Sequence, residues 1–268
     1  MGSTGIHRRV LIPLLILPFL GMKPEEKSPI RYRSFYAEMK RLEKPERVTA
    51  FSAVQNASNS AAATSYSVTV SSTTANNLLV VLVRVLNTST LSSVTDNAGN
   101  TYSISFGYID FSSNTRLYQA YGVQTTGGAT SVTITQSTGL GSSAIVNEYS
   151  GFAAGNTNAT VYDAGVTGTG TGTSISTSTL TPSSTGNLIV CSLRALGTGI
   201  SAGSGYTVYG TQGTTHAMMY KLSSGSSETC PATCTSGDWG IIGMSFKNAP
   251  ATQNTAPVLN ATGNFVNF

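Results

Sequence analysis

The chain has 268 residues, 15 Lys and Arg against 11 Asp and Glu, and only 10% charged side chains, where an ordinary soluble domain carries about 25%. The charge is unevenly placed: residues 1–47 have a net charge of +5, and residues 48–268 a net charge of −1. A phosphate-binding surface needs clustered Lys and Arg, and the body has only Arg84, Arg116, Arg194, Lys221 and Lys247. The composition therefore excludes nucleic-acid binding by the body.

In chain order, residues 1–21 come first, with His7, Arg8 and Arg9 ahead of an apolar run from Val10 to Leu20. Eleven residues rise only about 16 Å as a helix, too short for a bilayer core of about 30 Å. A basic start followed by a short apolar run is the pattern of a secretory signal peptide. If uncleaved, this segment would be the chain's one route to a membrane. Residues 22–47 are charged, with a helix expected over Ser34–Lys44, and residues 49–63 read as a flexible Ser/Ala-rich lead, so 22–63 is expected to be a linker.

From residue 64 to 248 the apolar residues come in strand-length runs bounded by Gly, Asn, Ser and Thr, which is the signature of an all-β domain. The strands fall into an internal repeat. Asn77-Leu78-Leu79-Val80-Val81-Leu82-Val83-Arg84 matches Asn187-Leu188-Ile189-Val190-Cys191-Ser192-Leu193-Arg194. Around this pair, Tyr66–Ser71 corresponds to Ser174–Leu180, Asn100–Gly107 to Gly205–Gly210, Arg116–Val123 to His216–Leu222, and Ser143–Gly151 to Trp239–Asn248. Ser131–Gln136 is an extra strand in the first half. The expectation is a two-sheet β-sandwich of about eleven strands, jelly-roll or Greek-key in topology. The continuous apolar runs would lie at sheet centres and the Ser/Thr-alternating strands would keep one face in water. Arg84 and Arg194 are expected at strand ends, bonded to a carboxylate such as Glu148. The tail, 249–268, reads as a flexible linker. A strand donated from it to a neighbouring molecule would give self-association.

Val94–Tyr102 (VTDNAGNTY) and Glu148-Tyr149-Ser150-Gly151 resemble an uncharacterised jelly-roll-like β-sandwich domain of secreted bacterial proteins. That domain occurs in multidomain cell-surface and extracellular chains. The resemblance covers roughly 64–248 and implies fold and compartment. It brings no catalytic residues.

Several side chains are candidates for chemistry. Cys230 and Cys234 flank a short loop and are expected to form a local disulfide, and Cys191 reads as a small core residue. Asp96, Asn97 and Asn100 place oxygen ligands at the spacing of a calcium loop, although an Asn/Gly hairpin turn accounts for the same residues. Gly199-Ile200-Ser201-Ala202-Gly203 matches the hydrolase G-x-S-x-G pattern but no helix follows it, so the match reads as chance. Tyr108 and Phe111 mark one loop, and Tyr206 and Tyr209 its counterpart in the second half. Exposed, they would form a platform for stacking sugar rings or another protein.

The expected function is that of an exported, non-enzymatic module at the cell surface or outside it, adhesive or structural. Its expected partners are a glycan or another surface protein. A carbohydrate-binding module is the first alternative and a polysaccharide-active enzyme the second.

Overall fold

The computed structural model describes residues 50–247 except 87 and 113, together with 258–259 and 265–266. The expected signal segment and the charged segment 22–47 lie outside these. The chain forms two units, Val48–Gln253 and the two termini, Met1–Arg47 with Asn254–Phe268. In the terminal unit the expected flexible tail contains one described feature, Val258–Leu259 paired antiparallel with Phe265–Val266.

The main unit is all-β. Its first half runs β1 (Ser52–Ala62), β2 (Ser65–Thr69), β3 (Leu78–Val85), β4 (Leu91–Asp96), β5 (Ser103–Ser112), β6 (Thr115–Val123), β7 (Ser131–Gln136) and β8 (Gly141–Ser150). One helical turn, α1 (Asn158–Val161), leads to the second half. There follow β9 (Tyr162–Ile175), β10 (Leu188–Ala195), β11 (Ser201–Ala202), β12 (Thr207–Gln212), β13 (His216–Leu222) and β14 (Ala232–Phe246). The described residues of this unit thus hold fourteen strands, not the eleven expected.

β1, β4, β9 and β11 are additional, and the expected strand over Ser174–Leu180 is not formed: β9 ends at Ile175 and only the bridge Leu180↔Glu228 lies beyond it. The expected linker over 49–63 contains β1, which pairs with β8 along its length. Its Ser, Asn and Ala side chains read as flexible. Those small polar residues suit an edge strand with one face in water, and a register shift between Ala53 and Gln55 bends it. The Gly/Thr-alternating β9 is the second edge strand, paired with β14. Glycine is required there by close approach: a Cβ on Gly170 would lie 2.5 Å from the Trp239 ring, and one on Gly168 2.1 Å from the Ser176 carbonyl.

Each half builds one large sheet. The first has the order β1-β8-β3-β6-β5, and the second has β9-β14-β10-β13-β12 with β11 also on β14. The inner orders β8-β3-β6-β5 and β14-β10-β13-β12 are identical once each strand is replaced by its repeat partner, and β1 and β9 add an edge strand to β8 and β14, so the sequence repeat is a repeat of sheets. β3 and β10 sit at the centres, each buried along its whole length except at Arg84 and Arg194. Alternation sends Leu78, Val80 and Leu82 into the seam between the large sheets, where they meet Leu188, Val190, Met218, Ile242 and Phe246. Leu79, Val81 and Val83 point the other way, into a second core beneath a small sheet of order β2-β7-β4. Ile189, Cys191 and Leu193 point into a third core with Leu180, Cys230, Trp239 and Ile241. The strands are continuously apolar because each is covered on both faces.

In the second half the small sheet is reduced to the isolated bridge Leu180↔Glu228. A disulfide stands in its place, and it is Cys191–Cys230, not the expected Cys230–Cys234. The chain from Ala232 onward is extended in β14. Four extended residues span about 13 Å, beyond the roughly 7 Å limit for bridged Cα atoms. Cys191 and Cys230 have Cα atoms 6.1 Å apart. Gly243, paired with Cys191 across β10 and β14, leaves room for the bridge, since a Cβ there would lie 2.6 Å from the Cys230 sulfur. Cys234 is a buried free thiol.

The bridge spans 39 residues, for which loop-closure entropy gives about 4 kcal/mol. Cys230→Ser should lower the unfolding free energy by about that amount in guanidinium titrations, while Cys234→Ser should leave it within about 1 kcal/mol. A non-reducing peptide map that links Cys230 to Cys234 would contradict the assignment.

Candidate functional site

Two carboxylates shut into the fold sit at matching places, one per half. In the first, Glu148 on β8 is 1% exposed and accepts hydrogen bonds from Asn77 Nδ2 (2.6 Å), Thr74 N (2.9 Å) and Gln55 Nε2. Gln55 in turn exchanges two bonds with the Ser71 backbone. The carboxylate therefore holds edge strand β1 and the loop that enters β3. In the second half Ser245 occupies the position of Glu148, and the carboxylate comes instead from Asp163 on the adjacent edge strand. Asp163 Oδ2 accepts from Asn187 Nδ2 (2.8 Å), Ser183 N (2.8 Å) and Ser245 Oγ (3.0 Å), and Lys247 lies 3.4 Å from its Oδ1. The Asn that opens each apolar run is the ligand of this carboxylate, which explains its place in the repeat. Arg84 and Arg194 do not reach Glu148 as expected. Arg84 Nη1 donates to the Gly141 carbonyl (3.1 Å) and Arg194 Nη1 to Thr115 Oγ1 (2.6 Å). They stand at the opposite end of the strands from Glu148, which pairs with Leu79 near the start of β3.

The expected aromatic platform is not assembled in the second half. Tyr206 and Tyr209 are three residues apart on an extended segment, so they face opposite sides. Tyr209 packs into the seam between the large sheets, 5.9 Å from the Tyr220 ring and 6.3 Å from that of Tyr149. The register shift between Val208 and Thr211 turns its backbone inward, where Asn147 Nδ2 donates to its carbonyl. Tyr206 packs against the third core. Tyr108 and Phe111 belong to edge strand β5, and their side chains lie outside the described residues.

Tyr206 does line a polar depression of about 410 Å³, together with Lys221, Ser224, Ser227, Glu228 and Thr229. Its hydroxyl donates to the Thr229 carbonyl (3.0 Å), and Lys221 Nζ stands 5.1 Å from the ring centroid. Lys221 also pairs with Glu228, which accepts from Ser224 N (2.9 Å). Burial pushes the Tyr206 phenol up, and the Glu228 charge adds to this. The hydroxyl is accordingly protonated and a donor at neutral pH. One face of the ring is thus occupied by a cation, and the hydroxyl-rich wall beside it can donate and accept hydrogen bonds.

At the expected calcium loop, Asp96 accepts four hydrogen bonds. Ala98 N (3.0 Å) and Asn100 N (3.1 Å) bind Oδ1; Asn100 Nδ2 (2.9 Å) and the Tyr102 hydroxyl (2.9 Å) bind Oδ2. Asn97 Oδ1 accepts from Thr130 N and Ser131 N. These are the bonds of an Asx turn closed onto its neighbours, and a cation would have to displace the donors. Among the described residues no group of three or more His, Cys, Asp or Glu is placed to hold a metal ion. Ser201 of the G-x-S-x-G pattern lies in β11 and leads into turns, without the helix that a nucleophile elbow requires.

A scan against protein-family models and searches among curated proteins and solved structures find no match to the chain.

Two outcomes follow from the carboxylate positions. Glu148→Ala strands the buried Asn77 and Thr74 donors and should cost about 3 kcal/mol in urea unfolding, whereas Asp110→Ala, at an exposed ion pair with Arg116, should cost under about 1 kcal/mol. The second outcome concerns acid. Burial would raise the Asp163 carboxyl, but donors from Ser183, Ser245 and Asn187 outweigh it and hold the group below its usual range. Glu228 is likewise held low, burial being outweighed by Lys221 and Ser224. Groups depressed on folding stabilise the fold above their unfolded pKa values, near 4, and lose that contribution as pH falls through the folded values. Melting temperature should therefore be flat near neutrality and drop below about pH 4, and Asp163→Asn should shallow that drop.

Proposed function

We propose that this chain is an exported, non-catalytic β-sandwich module with a structural or adhesive role at the cell surface or outside the cell. The observation that carries the reading is the use made of the six body carboxylates. Asp96 closes its own turn, Asp110 pairs with Arg116, and Glu148 and Asp163 hold the loops entering the central strands. Glu228 binds Lys221 and the Ser224 loop, and Asp238 accepts from Thr171. Each carboxylate fixes the backbone or a neighbouring strand, as expected of a rigid spacer.

The Cys191–Cys230 bridge supports an oxidising compartment, where such bonds persist. The strand orders β1-β8-β3-β6 and β2-β7-β4 in the first half support the jelly-roll reading, and with it the resemblance to domains of secreted bacterial proteins. A second reading, carbohydrate binding, is favoured by the Tyr206 depression with its hydroxyl-lined wall.

Antibody labelling of intact, unpermeabilised cells of the source organism tests the compartment. Surface signal with an oxidised Cys191–Cys230 pair is expected; signal only after permeabilisation, with reduced thiols, overturns the reading. On a glycan array the spacer reading expects no bound glycan, and saturable binding abolished by Tyr206→Ala would establish the second reading instead.

A further inference from the structure

The repeat places two arginines at equivalent positions. Arg84 is the last residue but one of β3 and Arg194 of β10, and both follow seam-facing residues at even spacing (Val80 and Leu82; Val190 and Ser192). Both therefore project into the seam between the large sheets, at the same end. Cross-strand pairing sets Ser143 beside Arg84 and His216 beside Arg194. The seam is closed there by Ser143 Oγ at 3.3 Å from His216 Nε2 and by Arg194 Nη1 on Thr115 Oγ1 of the opposite sheet.

Two guanidinium groups thus share a half-buried end of the seam. Among the described residues neither meets a carboxylate: the ion pairs are Arg116–Asp110, Lys221–Glu228 and Lys247–Asp163. Each arginine has one neutral oxygen acceptor, and both Nε atoms are shut off from solvent with no hydrogen-bond partner. One alternation further into the seam, Gln119 and Ser192 are fully buried. The Gln119 amide oxygen and nitrogen and the Ser192 hydroxyl are all unpartnered. Like charges held together away from water call for an anion, and the free Nε edge of a guanidinium suits oxyanion geometry.

We infer that the rim of the inter-sheet seam at Arg84, Arg194 and His216 is a binding site for a small free oxyanion, sulfate or phosphate. The anion would accept from both arginines and neutralise their repulsion. Burial and the charges of Arg194 and Arg84 push the His216 imidazole down to about 4, so it stands neutral beside them. Burial and the Arg84 charge similarly push Arg194 down to about 10.

The test is thermal unfolding of the full chain with sulfate or phosphate against chloride at matched ionic strength. A saturable rise of about 3 °C at ten times Kd is expected for the oxyanions, lost in Arg84→Gln and in Arg194→Gln. An equal rise in both variants, or with chloride, overturns the site. Nuclear magnetic resonance titration of His216 in the unaltered protein gives an independent reading that does not depend on how the variants fold. Saturating sulfate should raise its pKa by about one unit or more; an unmoved His216 overturns the proposal.

Discussion

The fold depends on two strands that must be covered on both faces. β3 and β10 carry apolar side chains at almost every position, so neither can lie on the outside of a simple sandwich without exposing half of its residues. Pairing their even-numbered faces creates the central seam. It leaves two outward apolar faces, each needing a further cover. The three separate cores are the consequence of that one constraint.

The halves meet the remaining requirement differently. The first covers its outer face with the β2-β7-β4 sheet, whose Tyr66, Val68, Val132 and Ile134 supply the apolar surface. The second has loops there, reduced to one bridge, and ties them to the core by Cys191–Cys230. Loops lack the hydrogen-bonded ladder that fixes a sheet, and a covalent link supplies the constraint the ladder would have given. The polar nodes diverge in a similar way. Asn77 and Asn187 keep their role, while the carboxylate they bind moves from the inner strand, as Glu148, to the edge strand, as Asp163.

A body with eleven charged side chains in 221 residues uses them sparingly, and among the described residues two of its three arginines stand apart from the carboxylates. The carboxylates sit where loops and edges need anchoring. Arg84 and Arg194, by the symmetry of the repeat, converge at one end of the seam without a carboxylate. Two half-buried guanidinium groups with only neutral acceptors carry a desolvation cost that no opposite charge offsets. The Tyr206 depression is a different kind of surface, in which Lys221 and Glu228 compensate one another.

Sequence alone determined the all-β class, the repeat and the central position of the two apolar runs, because alternation and burial are written in local residue patterns. It also placed the turn at Asp96–Asn100, which the Asp96 carboxylate closes onto Ala98 and Asn100. It did not reveal β1 and β9, whose small polar and glycine-rich strings resemble linkers until a partner strand and the Trp239 ring give them a place. Tertiary structure alone decided the partners of long-range groups. Cys230 bonds a cysteine 39 residues away and not one four residues away, because an extended strand separates the nearer pair. Arg84 and Arg194 face one seam, and Tyr206 and Tyr209 face opposite sides, because which sheet covers which face depends on packing across the whole repeat and not on neighbours along the chain.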